Sequence, residues 1–298
     1  MLVWLVILAL SIPDGLGQTD SAKTTPKPIR VTTHEASDIH TRWSPDGKSL
    51  LFASDRSGGL GIWLVDWPSG VPIALETGLA GDHHLSWSPD GAKIAFDALS
   101  KNGSPAVWII PAKGGQPHLV EAASSPSFQP SWSPDGHRIA FASYRSGTCD
   151  IWAVTLETGE AIRLTSGDAT DHHPAWSPDG REILFASDRN GEFDIWGVAS
   201  SGGKPFCVRD APGRDDHPCY SPDGRWFAFT ASDSSDSVIQ IVSRNSGASI
   251  FLVRGPRVSW PSWSPDGKMI AYASSVLGNV DIWVMKVPTL PDESESQQ

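Results

Sequence analysis

Four triplets place an aspartate two residues ahead of a histidine: Asp38-Ile39-His40, Asp82-His83-His84, Asp171-His172-His173 and Asp215-Asp216-His217. Neutral imidazole is the commonest protein ligand for Zn²⁺, Mn²⁺, Ni²⁺ or iron, and a neighbouring carboxylate can orient it from behind. His40, His84, His173 and His217 are therefore candidate ligands for a divalent metal, or donors to an anion. Two further segments carry Gln129 and Trp260 at the histidine place. The plainer alternative is structural, with each aspartate taking backbone N–H bonds at a strand entry and each imidazole packing at a rim. Repetition favours that alternative, whereas Gln129 and Trp260 show that the position is not kept merely as a folding unit. No residue declares itself as a base for proton abstraction.

The elements that must position these residues follow from self-comparison. Six copies of one turn appear: Trp43-Ser44-Pro45-Asp46-Gly47, Trp87 to Gly91, Trp132 to Gly136, Trp176 to Gly180, Tyr220-Ser221-Pro222-Asp223-Gly224 and Trp263 to Gly267, spaced 44, 45, 44, 44 and 43 residues apart. A period of 40 to 45 residues is that of propeller blades. In the fourth copy a short run ends at Trp176, and Ser177-Pro178-Asp179-Gly180 reverses the chain, Pro setting φ and Gly tolerating positive φ. Glu182 to Ala186 reads as a strand buried on both faces, Asp188-Arg189-Asn190-Gly191 as the next turn and Asp194 to Val198 as a third strand. A fourth, outer strand follows Gly202-Gly203. The Asp-Arg pairs Asp55-Arg56 and Asp188-Arg189 are expected to brace turns.

A four-stranded blade cannot bury both of its faces alone, and ten of the fourteen tryptophans occupy two repeated positions, so a closed ring of six blades is expected. The sixth copy stops after its third strand, Val280 to Val287. Residues 28 to 33, Pro-Ile-Arg-Val-Thr-Thr, match the outer-strand position and should complete the last blade, protecting its edge. The fold class is thus all-β, a six-bladed propeller of four-stranded antiparallel blades closed by an N-terminal strand. The first strand of each blade lines the axis in that arrangement, so Asp38, His40, Asp82, His84, Gln129, Asp171, His173, Asp215, His217 and Trp260 should gather at one mouth of the central channel.

The repeat resembles the WD-like propeller repeat of TolB and its relatives. Ser54-Asp55-Arg56-Ser57-Gly58, Ser143 to Trp152 and Ser187 to Trp196 carry the likeness, which spans roughly residues 28 to 288. The second copy departs with Asp97-Ala98-Leu99, the fifth with Tyr220 and Ile239-Gln240, and the sixth with Ser274-Ser275-Val276. TolB proteins of the cell envelope carry an N-terminal α/β domain for which residues 1 to 27 leave no room, so membership of that transport complex is not expected. Similar propellers cap serine peptidases of the prolyl oligopeptidase group, but the chain has no G-x-S-x-G elbow. Propeller-fold oligogalacturonate lyases hold Mn²⁺ with several histidines and a glutamine, a set that His40, His84, Gln129, His173 and His217 superficially resemble.

Composition bounds the remaining choices. A net charge of −11 without a basic stripe argues against nucleic acid and anionic membranes. Cys149, Cys207 and Cys219 have no metal-ligand spacing and read as small buried residues without a disulfide. Met1 to Ile12 is an apolar run of signal-peptide length, which assigns residues 1–17 to a signal peptide, 18–27 to a flexible lead-in, 28–288 to the propeller and 289–298 to an acidic tail. The expectation is an exported, monomeric binding module, periplasmic or secreted, engaging a protein, peptide or glycan through a propeller face or the channel mouth. The competing reading is a metal-dependent lyase or hydrolase acting on an anionic sugar in the channel.

Overall fold

The computed structural model describes residues 27–81, 83–120, 126–232 and 236–290. The expected signal peptide, Asp82 and most of the lead-in and acidic tail lie outside them. The described residues form six four-stranded antiparallel sheets and no helix. In blade four the order is Asp171–Trp176, Glu182–Ser187, Asp194–Ala199 and Phe206–Arg209, from inner to outer strand. The inner strands of the other blades are Asp38–Trp43, Leu85–Trp87, Ser127–Trp132, Arg214–Tyr220 and Ser259–Trp263. Each touches the next around the circle, and the sixth touches the first.

The core sits between blades. Each of its six apolar clusters joins two consecutive blades, as where Ala140, Ala142 and Ile151 of blade three meet Trp176, Ile183 and Phe185 of blade four. One position of the second strand puts Phe52, Phe96, Phe141, Phe185, Phe229 and Tyr272 into these interfaces, all fully buried. Truncating any one to alanine should cost about 3–5 kcal/mol. The hairpin turns form a second circle. In each, the aspartate accepts the serine hydroxyl, as Asp179 does from Ser177 at 2.6 Å. The turn glycine then backs onto the proline of the preceding blade: a Cβ placed on Gly180 would lie 3.3 Å from Pro134 Cγ, and Gly47 meets Pro265 across the seam.

Closure is as the sequence indicates. Ile29–Arg30 pairs antiparallel with Asn279–Lys286, adding the fourth strand to blade six. Val31 N–H donates to Ile282 O (2.8 Å), Ile282 N–H donates to Thr32 Oγ1 (2.9 Å), and Arg30 pairs with the fully buried Asp281 at 2.7 Å. One expectation needs correcting: Cys149 is buried, but Cys207 is exposed, because it lies on an outer strand where one face meets solvent. All three thiols are free.

Candidate functional site

The inner strands do more than line the axis. In five blades the pairing with the second strand slips by a bulge, between Ile39 and Arg42, Phe128 and Ser131, His172 and Ala175, Asp216 and Cys219, and Ser259 and Ser262. At each bulge a non-glycine residue takes left-handed backbone: His40, Gln129, His173, His217 and Trp260, with φ between 53° and 58°. Bulges re-aim side chains, and here they turn these five towards the axis. Proline follows four of them, at Pro130, Pro174, Pro218 and Pro261, which a bulge tolerates and a regular ladder does not. Blade two achieves the same end differently, with His84 just ahead of its short inner strand.

The result is a closed ring of aromatic groups. Centroid separations run 4.2 Å from His40 to His84, 5.4 Å to His173, 4.2 Å to His217, 5.3 Å to Trp260 and 4.4 Å back to His40. Gln129 bridges the gap, its Nε2 lying 2.7 Å from His173 Nε2 and its Oε1 accepting from His173 N–H at 2.9 Å. The amide donor on Nε2 leaves the His173 ring proton on Nδ1, which reaches Asp216 Oδ1 at 2.6 Å. Below the ring a channel of about 260 Å³ extends past the four bulge prolines towards the Pro178 and Pro222 turns.

Among the described residues, the carboxylates at the ring are not the triplet aspartates Asp38, Asp171 and Asp215. Asp38 is fully buried and held by Arg56 Nη2 at 2.7 and 2.8 Å; Asp171 is held by Arg189 Nη2 at 2.6 and 2.7 Å; Asp215 meets Arg209 Nε at 3.1 Å. Inside a blade a buried carboxylate must be neutralised; for Asp38 and Asp171 the Arg of the next turn supplies the charge while stacking on Phe52 and Trp63 or on Phe185 and Trp196. The neighbouring Asp55 and Asp188 instead accept from Ser37 and Thr170 N–H, bracing the turns as expected. Asp97 and Asp216 face the imidazoles. Asp97 Oδ1 lies 3.0 Å from His84 Nδ1 and accepts from Gln129 N–H; Asp216 also accepts from Arg214 Nη2 at 2.7 Å. A signal for Asp97 exists in the repeat, since it stands where four other blades carry alanine, at 53, 142, 186 and 273, and blade five carries Thr230.

Burial sets the electrostatics. It holds His40 and His217 well below the usual imidazole range, with further lowering from neighbouring imidazoles, and it brings His172 and His173 down to about 4 against the opposing pull of Asp216. These imidazoles are neutral near pH 7. Burial would raise Asp216, but His217, His173 and His172 overcome it and keep the carboxylate ionised. Nδ1 of His40 and of His217 is buried without a hydrogen-bond partner among the described residues.

Donor atoms converge in two places that a cation could use: His83, His84 and Asp97, and His172, His173 and Asp216, each set lying within 4.8 Å of one another. Only one member of the expected metal quartet falls in each set; His40 and His217 fall in neither. The donor chemistry fits a divalent ion. In both sets, though, the carboxylate already takes a ring N–H.

The family model of the TolB beta propeller domain matches residues 83–289. Among solved structures, a protein described as TolB from Agrobacterium tumefaciens is 28% identical, with a TM-score of 0.74 over 87% of this chain and 93% of that one. TolB from Acinetobacter baumannii is 21% identical, TM-score 0.64, over 84% of this chain and 64% of that chain. An oligogalacturonate lyase in complex with manganese shares the fold at 16% identity and a TM-score of 0.61, over 90% of this chain and 94% of that one. No curated protein matches the sequence.

Proposed function

The chain belongs to the TolB beta propeller domain family, and on that premise we propose that it is an exported binding module engaging a protein, peptide or glycan partner at the mouth of its central channel. The observation that carries this reading is the backbone of the ring. Of the six non-glycine residues in left-handed conformations among the described residues, which cost about 1 kcal/mol or more each, all but Arg257 belong to the ring. Strain concentrated at one aperture of a rigid scaffold is the mark of a site and not of a hinge. The ring offers flat aromatic faces and a bridging amide, a set suited to polar recognition with little rotamer entropy to lose. The apolar Met1 to Ile12 run supports export. No helix among the described residues is long and apolar enough to cross a membrane.

The test is in-cell cross-linking with Trp260→Ala beside wild type. Trp260 meets both His40 and His217 edge-on, so its loss should cut partner recovery at least tenfold while leaving the melting curve cooperative. Recovery unaffected by Trp260→Ala, with cross-links confined to the outer strands, would end the channel reading.

A second reading, a metal-dependent lyase or hydrolase on an anionic sugar, draws on the His172, His173 and Asp216 convergence. A bound divalent ion would supply Lewis-acid activation there. Calorimetric titration with Mn²⁺ and Zn²⁺, repeated on His172→Ala and His173→Ala, decides it: heat lost in both variants supports a site, and no heat in wild type removes it.

A further inference from the structure

Two residues beyond each ring residue, the inner strands present a second rung to the channel: Arg42, Ser86, Ser131, Ala175, Cys219 and Ser262, all of which line the cavity. They occupy equivalent register positions, opposite Leu51, Ala95, Ala140, Leu184, Ala228 and Ala271. Five of the six are small. The sixth is, among the described residues, the one Lys or Arg side chain that lines this channel, in a protein whose net charge is −11.

Arg42 differs from the arginines that sit beside the blades' buried aspartates. Arg56, Arg189, Arg209 and Arg30 each neutralise a buried aspartate. Arg42 makes one hydrogen bond, from Nη1 to Thr41 O at 3.0 Å, and pairs with no carboxylate among the described residues. A guanidinium carries five N–H donors in a planar fork, and holding it inside a channel without a counter-charge is costly. The small residues at 86, 131, 175, 219 and 262 leave space around that fork.

We propose that Arg42 anchors a carboxylate in the central channel. A single planar cation matches a single planar anion through paired N–H bonds. A phosphate dianion would call for a second fixed cation, and the lining holds no further Lys or Arg among the described residues. The hydroxyls of Ser86 and Ser262 accept backbone N–H bonds from Trp132 and Trp43, which leaves their protons available to the same ligand. An acidic amino acid and a uronic acid both present the required group. This inference deepens the binding-module reading and rests on it for what the channel is for.

Calorimetric titration of the full chain with N-acetyl-aspartate amide, galacturonate and inorganic phosphate, repeated on Arg42→Gln and Arg42→Lys, tests it. A carboxylate should bind wild type, at least about tenfold more weakly to Arg42→Gln, with Arg42→Lys between them. Which of the two carboxylates binds tells an acidic peptide from an acidic sugar. A second measurement needs no variant: phenylglyoxal modification of Arg42 in wild type, read by mass spectrometry, should slow when the bound carboxylate is present. No carboxylate binding, phosphate binding alone, or equal binding to Arg42→Gln would overturn the proposal. Undiminished cross-linking of a partner to Arg42→Gln would remove the anchor and leave the channel-mouth reading standing.

Discussion

Replacing Arg189 with alanine tests whether the blades are held at their axial corners by buried ion pairs. Arg189 Nη2 lies 2.6 and 2.7 Å from the two oxygens of Asp171, and Nε donates to Ser187 Oγ at 2.8 Å. Its guanidinium stacks 4.8 Å from the Trp196 ring and 5.4 Å from Phe185. Asp171 is 1% exposed, so water cannot replace the lost partner. Orphaning a buried charge in this way costs about 3–5 kcal/mol. The exposed Arg181, 3.9 Å from Asp179 in the same blade, is the internal control, worth about 0–1 kcal/mol. Urea unfolding followed by tryptophan fluorescence would compare Arg189→Ala, Asp171→Asn, the double variant and Arg181→Ala. The double variant should recover about 2–3 kcal/mol against the sum of the singles, because the orphaned charge is then absent. If Arg189→Ala costs no more than Arg181→Ala, or if the two singles simply add, the corner is not an ion pair of consequence and the reasoning fails.

Three further outcomes are expected. Deleting residues 28–33 removes the Ile29–Arg30 strand and strands the buried Asp281, so the melting temperature and the soluble yield should both fall; unchanged melting would refute closure by this segment. Asp97→Ala restores the residue of the sister blades but strips the acceptor from His84 Nδ1 and Gln129 N–H, and should cost about 1–3 kcal/mol in urea unfolding; a gain in stability would show the carboxylate to be dispensable. His172 and His173 titrate at about 4 in the folded chain against 6.5 for the free side chain. The unfolded chain therefore binds more protons between those values, and the stability they contribute is full above pH 6.5 and lost as pH falls towards 4. Across that window wild type should lose about 2–3 kcal/mol more than His173→Asn, a substitution that tolerates the left-handed backbone; parallel curves would count against a buried neutral ring.

The blades were legible in the chain because each is a local object. Pro and Gly at set places in Trp176 to Gly180 dictate a turn whatever surrounds it, and the unbroken apolar run from Ile183 to Ala186 declares a strand covered on both faces. Six such units at one period require a ring, and the unpaired edge at Asn279–Lys286 requires the strand found at Ile29–Arg30. The histidine positions were legible for the same reason, as exceptions within a repeat. What each side chain faces was not. A bulge turns His173 to the axis while its triplet partner Asp171 turns into the blade to meet Arg189. The carboxylates that do reach the ring arrive from neighbouring register positions, Asp97 on a second strand and Asp216 one place along the inner strand. Arg42 carried no signal of its own, since an arginine beside Trp43 reads as an ordinary strand residue until the closed ring sets five small residues opposite it. Turn chemistry and periodicity act over a few residues and belong to the sequence; the partner of a buried charge is decided by segments tens of residues apart, and only ring closure brings those together.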